Sequence, residues 1–238
     1  MDNAVGRYHR RSRNLANSLL LVLPLLVAYQ LGVLLTGGIR NGVDFVTDVL
    51  WLIAGEQLEV YLWINLGILA LFGLATFLLR SRGTFRLRVW PVVVLESTLY
   101  ALILGAVVLQ IMGFLGVDPS LSASADVADS VLRVVVLSLG AGVYEELVFR
   151  LILMGGMVWL MTRVFDWPIW LAATVACLLS SLAFSAIHHV GELGDPFTPG
   201  VFVFRLVAGV LLAIIFFARG FAVAVYTHAI YDIIVMMS

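Results

Sequence analysis

Seven stretches of this chain run for about twenty residues with almost no charge, a pattern that suits a lipid bilayer. They lie near residues 15–36, 60–79, 90–116, 131–162, 168–189, 201–218 and 221–237. Only 12% of residues are charged and 62% are hydrophobic, about half the charge expected of a soluble domain. Backbone groups in hydrocarbon must bond within their own segment, so each stretch is expected to be a helix. The fourth is long enough to be one tilted helix or two shorter ones broken near Gly155-Gly156. The expected fold is therefore an all-α, polytopic membrane bundle of seven or eight transmembrane helices.

Charge placement orients the chain. Arg7, Arg10, Arg11 and Arg13 precede the first span, and Arg80, Arg82, Arg86 and Arg88 separate the second from the third. Both clusters belong on the cytoplasmic side by the positive-inside rule, which places the N-terminus there. The connections 40–59 and 117–130 are richer in Asp and Glu and fit the opposite side. The first span is too long for a signal-peptide core and reads as a retained helix. Within 43–58, Val46, Val49, Leu50 and Ile53 share a helical stripe with Asp44, Thr47 and Asp48 off it. That stripe fits a short helix in the interface or an ordinary amphipathic connector. Asp118-Pro119-Ser120 and the segment 195–200 carry turn signals. A basic arm (1–14), N-terminal membrane helices (15–130) and a C-terminal membrane core (131–238) make one helical membrane domain. A net charge of −1 offers no basic face for nucleic acid. The single cysteine, Cys177, reads as a small packing residue.

Against this apolar background a few ionisable residues stand out. Tyr144-Glu145-Glu146-Leu147-Val148-Phe149-Arg150 lies inside the fourth stretch. Charged groups at that depth are costly and are functional candidates by default. Glu146 and Arg150 are four apart, so they share a helix face and can pair. Glu145 points about 100° away and is left available. Phe184 and His188 are four apart near the end of the fifth stretch, and His228 and Asp232 are four apart in the last. Singly, each has an ordinary explanation as interhelical glue or a solvated helix end. His189 must face away from its neighbour His188, and Arg205 and Arg219, near helix ends, read as snorkelling side chains. Several expensive groups on three helices are explained together by one shared polar centre.

Glu145-Glu146-x-x-x-Arg150, Phe184-x-x-x-His188 and His228-x-x-x-Asp232, in that order, resemble the CAAX protease and bacteriocin-processing (CPBP, or Abi) family of intramembrane endopeptidases. The resemblance covers roughly residues 130–237. It implies a bundle of about eight helices around a polar catalytic cavity and a plasma-membrane location, the inner membrane in bacteria. It also implies hydrolysis near the C-terminus or in a membrane-proximal tail of a substrate protein, with a hydrophobic or lipidated tail. Eukaryotic members remove the last three residues of prenylated C-a-a-X proteins.

Carried onto this sequence, the resemblance makes Glu145 the base that activates water and His188 its helper. His228 and position 232 would stabilise the oxyanion, and Glu146, Arg150 and Phe184 would be structural support. Asp232 stands where the best-known members have Asn, so it would have to be protonated, orient His228 or bind a metal. Glu145, His188, His228 and Asp232 also form an N/O set suited to zinc. No H-E-x-x-H motif is present, and glutamate-activated water without a cofactor is the favoured expectation. A proton-coupled transporter and a non-catalytic immunity or binding protein are the alternatives of another class. Matching broken helices in two inverted halves, the usual transporter signature, are not evident.

Overall fold

The structure, a computed structural model, describes residues 4–36, 45–55, 57–79, 89–117, 131–190, 194 and 196–237. Among these residues every regular element is helical. They are α1 (Ala4–Arg13), α2 (Leu15–Leu35), α3 (Phe45–Ile53), α4 (Leu58–Leu79) and α5 (Trp90–Leu115). Then follow α6 (Val131–Glu145), a π-helical segment (Glu146–Met154), α7 (Gly155–Arg163), α8 (Ile169–Ile187), α9 (Pro199–Arg219) and α10 (Phe221–Met237). The helices α2, α4, α5, α8 and α9 are each long and apolar enough to cross a membrane, and α10 is a shorter apolar helix. The chain is an integral membrane protein built as a polytopic helical bundle.

Local chemistry sets the helix ends. Asn14 caps α2 by accepting from the Asn17 amide through its side chain, and Thr198 caps α9 by accepting from the Val201 amide. Pro199 then occupies the first turn of α9, where a missing N–H costs nothing. The α9–α10 corner needs Gly220, whose φ is 91° and whose position is crowded by the Arg13 backbone.

Of the two forms open to 131–162, one helix or two broken near Gly155-Gly156, the structure shows the continuous one. Gly155 has φ −61° and ψ −42°, and its amide reaches back to the Arg150 carbonyl, so helix runs on from Val131 to Arg163. The irregularity sits one turn earlier, as π-helical winding. The short helix expected within 43–58 is present as α3, yet its apolar stripe is only partly covered. Leu50 packs against the core, whereas Ile53 is exposed. Asp44, the Arg80–Arg88 connection, the Asp118-Pro119-Ser120 turn, nearly all of 117–130 and Asp195 lie outside the described residues.

Helix α10 occupies the middle of the bundle. It packs on α2, α5, α6 and α9, and every residue from Phe221 to Ala229 is buried. Small residues permit this. A Cβ on Gly142 of α6 would lie 2.8 Å from the Ala229 Cβ, 2.9 Å from its amide nitrogen and 3.0 Å from the Val225 carbonyl oxygen. Without a hydrophobic driving force between helices in lipid, this close approach supplies the packing that holds α6 to α10. The contact also fixes the height of His228 relative to Glu145.

Because two of the three atoms met are backbone, the clash cannot be relieved by a rotamer change. Gly142→Val should lower stability by about 1–3 kcal/mol, read as a lower Tm in detergent. An unchanged Tm would mean that α6 and α10 are not packed this closely.

Candidate active site

The first carboxylates stand at a change of helical winding. Glu145 ends α6 and Glu146 opens the π-helical segment. With i→i+5 bonding, successive side chains fan less widely than the 100° of an α-helix. Glu145 and Glu146 are both buried and both reach the same imidazole of α10. Short π stretches are costly and occur at functional sites, held by their surroundings.

Arg150 is fully buried beside Glu146, with Nε 3.4 Å from the Glu146 Oε2. Its Nη2 donates to the Gly209 carbonyl at 3.3 Å, and its guanidinium lies 4.4 Å above the Phe184 ring. Phe184 also meets Phe149 edge-on at 5.5 Å and His188 at 4.9 Å between centroids. Phe184 is thus the apolar floor on which the cation and the first histidine rest.

His188 ends α8 and is oriented by its own helix. Its Nδ1 lies 2.7 Å from the Phe184 carbonyl oxygen. A carbonyl only accepts, so Nδ1 carries the proton and donates. In the neutral ring, Nε2 then presents a lone pair, and it faces Glu145 Oε1 at 3.4 Å. Two acceptors therefore confront each other at more than hydrogen-bond distance.

His228 is the junction. Its Nδ1 is 2.8 Å from Glu146 Oε1, and its Nε2 is 3.7 Å from Glu145 Oε2 and 3.4 Å from Asp232 Oδ2. One imidazole touches three carboxylates. A ring that donates from both nitrogens satisfies this arrangement, since carboxylates only accept.

Glu145, His188, His228 and Asp232 are therefore brought together, with Glu146, Arg150 and Phe184 behind them. Glu146 differs from the sequence expectation. It divides between Arg150 and His228 rather than serving Arg150 alone, because α10 brings an imidazole to its other oxygen. His189 turns elsewhere and packs on Phe197 and Phe202, with centroids at 5.2 and 6.0 Å. The donor atoms of the four candidate metal ligands face one another. Among the described residues no group of three or more His, Cys, Asp or Glu has an arrangement suited to an ion.

Two features escaped the sequence reading. Gln30 of α2, Asn65 of α4 and Tyr144 of α6 close a triangle: Gln30 donates to Asn65 at 2.8 Å and to the Tyr144 hydroxyl at 2.9 Å, which donates to Asn65 at 2.8 Å. Polar residues inside two apolar spans were the available signal. Arg219 does not snorkel. It is buried in a bidentate pair with Glu96 at 2.6 and 2.8 Å, and Tyr8 donates to the same carboxylate.

Residues 127–234 match the family model described as type II CAAX prenyl endopeptidase, Rce1-like. This part of the chain is similar to CAAX-type prenyl endopeptidases. All three polar motifs fall within the matched region. No curated protein and no solved structure gives a match. That likeness points to a hydrolase of the protease class, acting on a protein or peptide in a membrane setting.

Glu146→Gln separates the two partners of Glu146. It leaves Arg150 buried without its counter-charge, at a cost of a few kcal/mol. Loss of stability and expression should be accompanied by reduced activity in the protein that does fold, because His228 loses its Nδ1 partner. Full activity in the folded variant would show that the Glu146–His228 bond is dispensable.

Proposed function

We propose that this CAAX-type protein is a glutamate-dependent intramembrane endopeptidase that cleaves near the C-terminus, or in a membrane-proximal tail, of a substrate protein. The observation that carries this reading is the confrontation of Glu145 Oε1 with the lone pair on His188 Nε2 at 3.4 Å. A water molecule donates one hydrogen to each of two such acceptors. Its oxygen lone pair is then directed away from both, towards an incoming peptide carbonyl.

Attack forms the bond from water oxygen to carbonyl carbon, and Glu145 takes the water proton. The carbonyl oxygen becomes an oxyanion, stabilised by Nε2–H of the cationic His228. The Nδ1–H of that ring stays on Glu146, while the carboxylates of Glu145 and Asp232 stand 3.7 and 3.4 Å from Nε2. Glu145 then returns the proton to the leaving amine as the C–N bond breaks. The buried setting strengthens each of these charge interactions. Asp232, close to His228 Nε2, acts as an ionised carboxylate that orients and charges that ring. Such a role replaces the direct donation expected of an amide at this position. Glu146 holds the same ring from Nδ1, and Arg150 balances the excess negative charge.

Charge placement supports an N-terminus in the cytoplasm, and the family likeness fits a plasma-membrane location, the inner membrane in a bacterium. The arm α1 ends in Arg10, Arg11 and Arg13 beside the first span. The substrate class that fits the family is a protein with a hydrophobic or lipidated C-terminal tail.

Glu145→Gln keeps shape and removes the base. Cleavage in reconstituted membranes should disappear while Tm in detergent stays within a few degrees of wild type. Cleavage that persists in both Glu145→Gln and His188→Ala would sink the mechanism.

Activity should survive chelators in protein holding less than stoichiometric zinc. Inhibition by phenanthroline that added zinc reverses would assign Glu145, His188, His228 and Asp232 to a metal instead. Asp232→Asn should reduce turnover by about a hundredfold or more, the scale of losing one charge-stabilising group. Unimpaired turnover would mean that position 232 works as a neutral donor.

A further inference from the structure

Gln30 and Asn65 lie on α2 and α4, outside the family match, yet both bond to the residue that precedes Glu145. Helix α4 faces outward along most of its length and buries only Tyr61, Asn65, Phe72 and Thr76. The Asn65 amide is fixed from its own helix. Its Nδ2 donates to the Tyr61 carbonyl at 2.9 Å, which leaves Oδ1 to act as an acceptor. That oxygen receives Gln30 Nε2 and the Tyr144 hydroxyl, each at 2.8 Å. The second hydrogen of Gln30 Nε2 goes to the Tyr144 oxygen at 2.9 Å. Donors and acceptors therefore match all round the triangle. The Tyr144 ring is held as well, by the edge-on contact with Tyr29 at 5.4 Å.

Stability alone is a poor reason for this triangle. Hydrogen bonds between membrane helices add little net stability, because the unfolded chain in the membrane also finds partners. What the triangle supplies is direction. Successive side chains leave a helix about 100° apart, so anchoring Tyr144 on α2 and α4 fixes where Glu145 points. Glu145 is thereby turned to α8 and α10, with His188 Nε2 at 3.4 Å and His228 Nε2 at 3.7 Å. A carboxylate stands about 6 Å from its helix axis, so a rotation of about 10° swings it by about 1 Å. Misplacement on that scale can cost about a hundredfold in rate. Regular α-helical winding ends at Glu145, so the turn that holds Tyr144 is the last one able to set its direction.

We propose that Gln30, Asn65 and Tyr144 are positioning residues that aim Glu145 at the attacking water, so that α2 and α4 contribute to catalysis. The inference rests on the endopeptidase reading above. The three side chains act through Glu145 and take no part in proton transfer.

The test uses full-length protein in lipid nanodiscs and a quenched-fluorescent farnesylated peptide with a C-a-a-X tail. Tyr144→Phe removes one hydroxyl and keeps the ring, and Asn65→Leu removes the shared acceptor. Each should lower kcat about ten- to a hundredfold, with KM within about twofold of wild type and Tm within a few degrees. The double variant should be no slower than the slower single one, since both act through the same bond. Thr76→Val removes a buried α4 hydroxyl that bonds to the Phe72 carbonyl of its own helix, and kcat should not change. Gln30→Leu, at a half-buried position, takes the place of Asn65→Leu if that variant does not fold. Unchanged kcat in Tyr144→Phe and Asn65→Leu overturns the inference and leaves the endopeptidase reading standing. A kcat loss that Thr76→Val reproduces, or that only follows a fall in Tm, overturns it in the same way. Wild type without cleavage, or Glu145→Gln as fast as wild type, removes the endopeptidase reading and this inference with it.

Discussion

The bundle depends on one constraint: ionisable side chains held in a low-dielectric interior must satisfy one another. His228, Glu146 and Arg150 meet that demand as a chain of contacts across α10 and the π-helical segment. A lone buried charge costs far more than a pair, so removing any member strands its neighbours. This coupling explains why the polar centre is continuous rather than scattered. It also explains why α10, which supplies the junction imidazole, is buried at every residue from Phe221 to Ala229.

The π-helical segment is the local answer to that demand. Regular α-helical winding would separate the directions of Glu145 and Glu146 more widely. The looser winding lets both acids reach His228, at 3.7 and 2.8 Å. Its cost is offset by packing on both sides. Tyr144, immediately before the acids, is held by Gln30 and Asn65, while Arg150, one turn later, is held by the Gly209 carbonyl and the Phe184 ring. Helices outside the family match thereby help to set the rotation of the helix that carries Glu145. Tyr29 adds an edge-on contact to the Tyr144 ring at 5.4 Å.

The N-terminal arm has a similar relation to the far end of the bundle. Tyr8 and His9 of α1 reach Glu96 and Arg219, and the end of α1 packs against the Gly220 corner. That corner leads directly into α10. A basic segment that reads as a surface arm is thus part of the framework that fixes the central helix.

Much of this was legible in the sequence because the bilayer imposes simple rules. Long apolar runs had to be helices, and costly ionisable residues on three of them had to meet. Helical spacing paired Glu146 with Arg150 and His228 with Asp232 within single helices. It could not say what lies across from each face. Only tertiary structure decided that Glu146 serves His228 as well as Arg150, and that the helix unwinds at Glu146 rather than breaking at Gly155. Tertiary structure likewise decided that Arg219 is buried on Glu96. The physical reason is that periodicity fixes directions around one axis. Partners between helices depend on crossing, height and close approach, which here follow from backbone contacts such as Gly142 on Ala229.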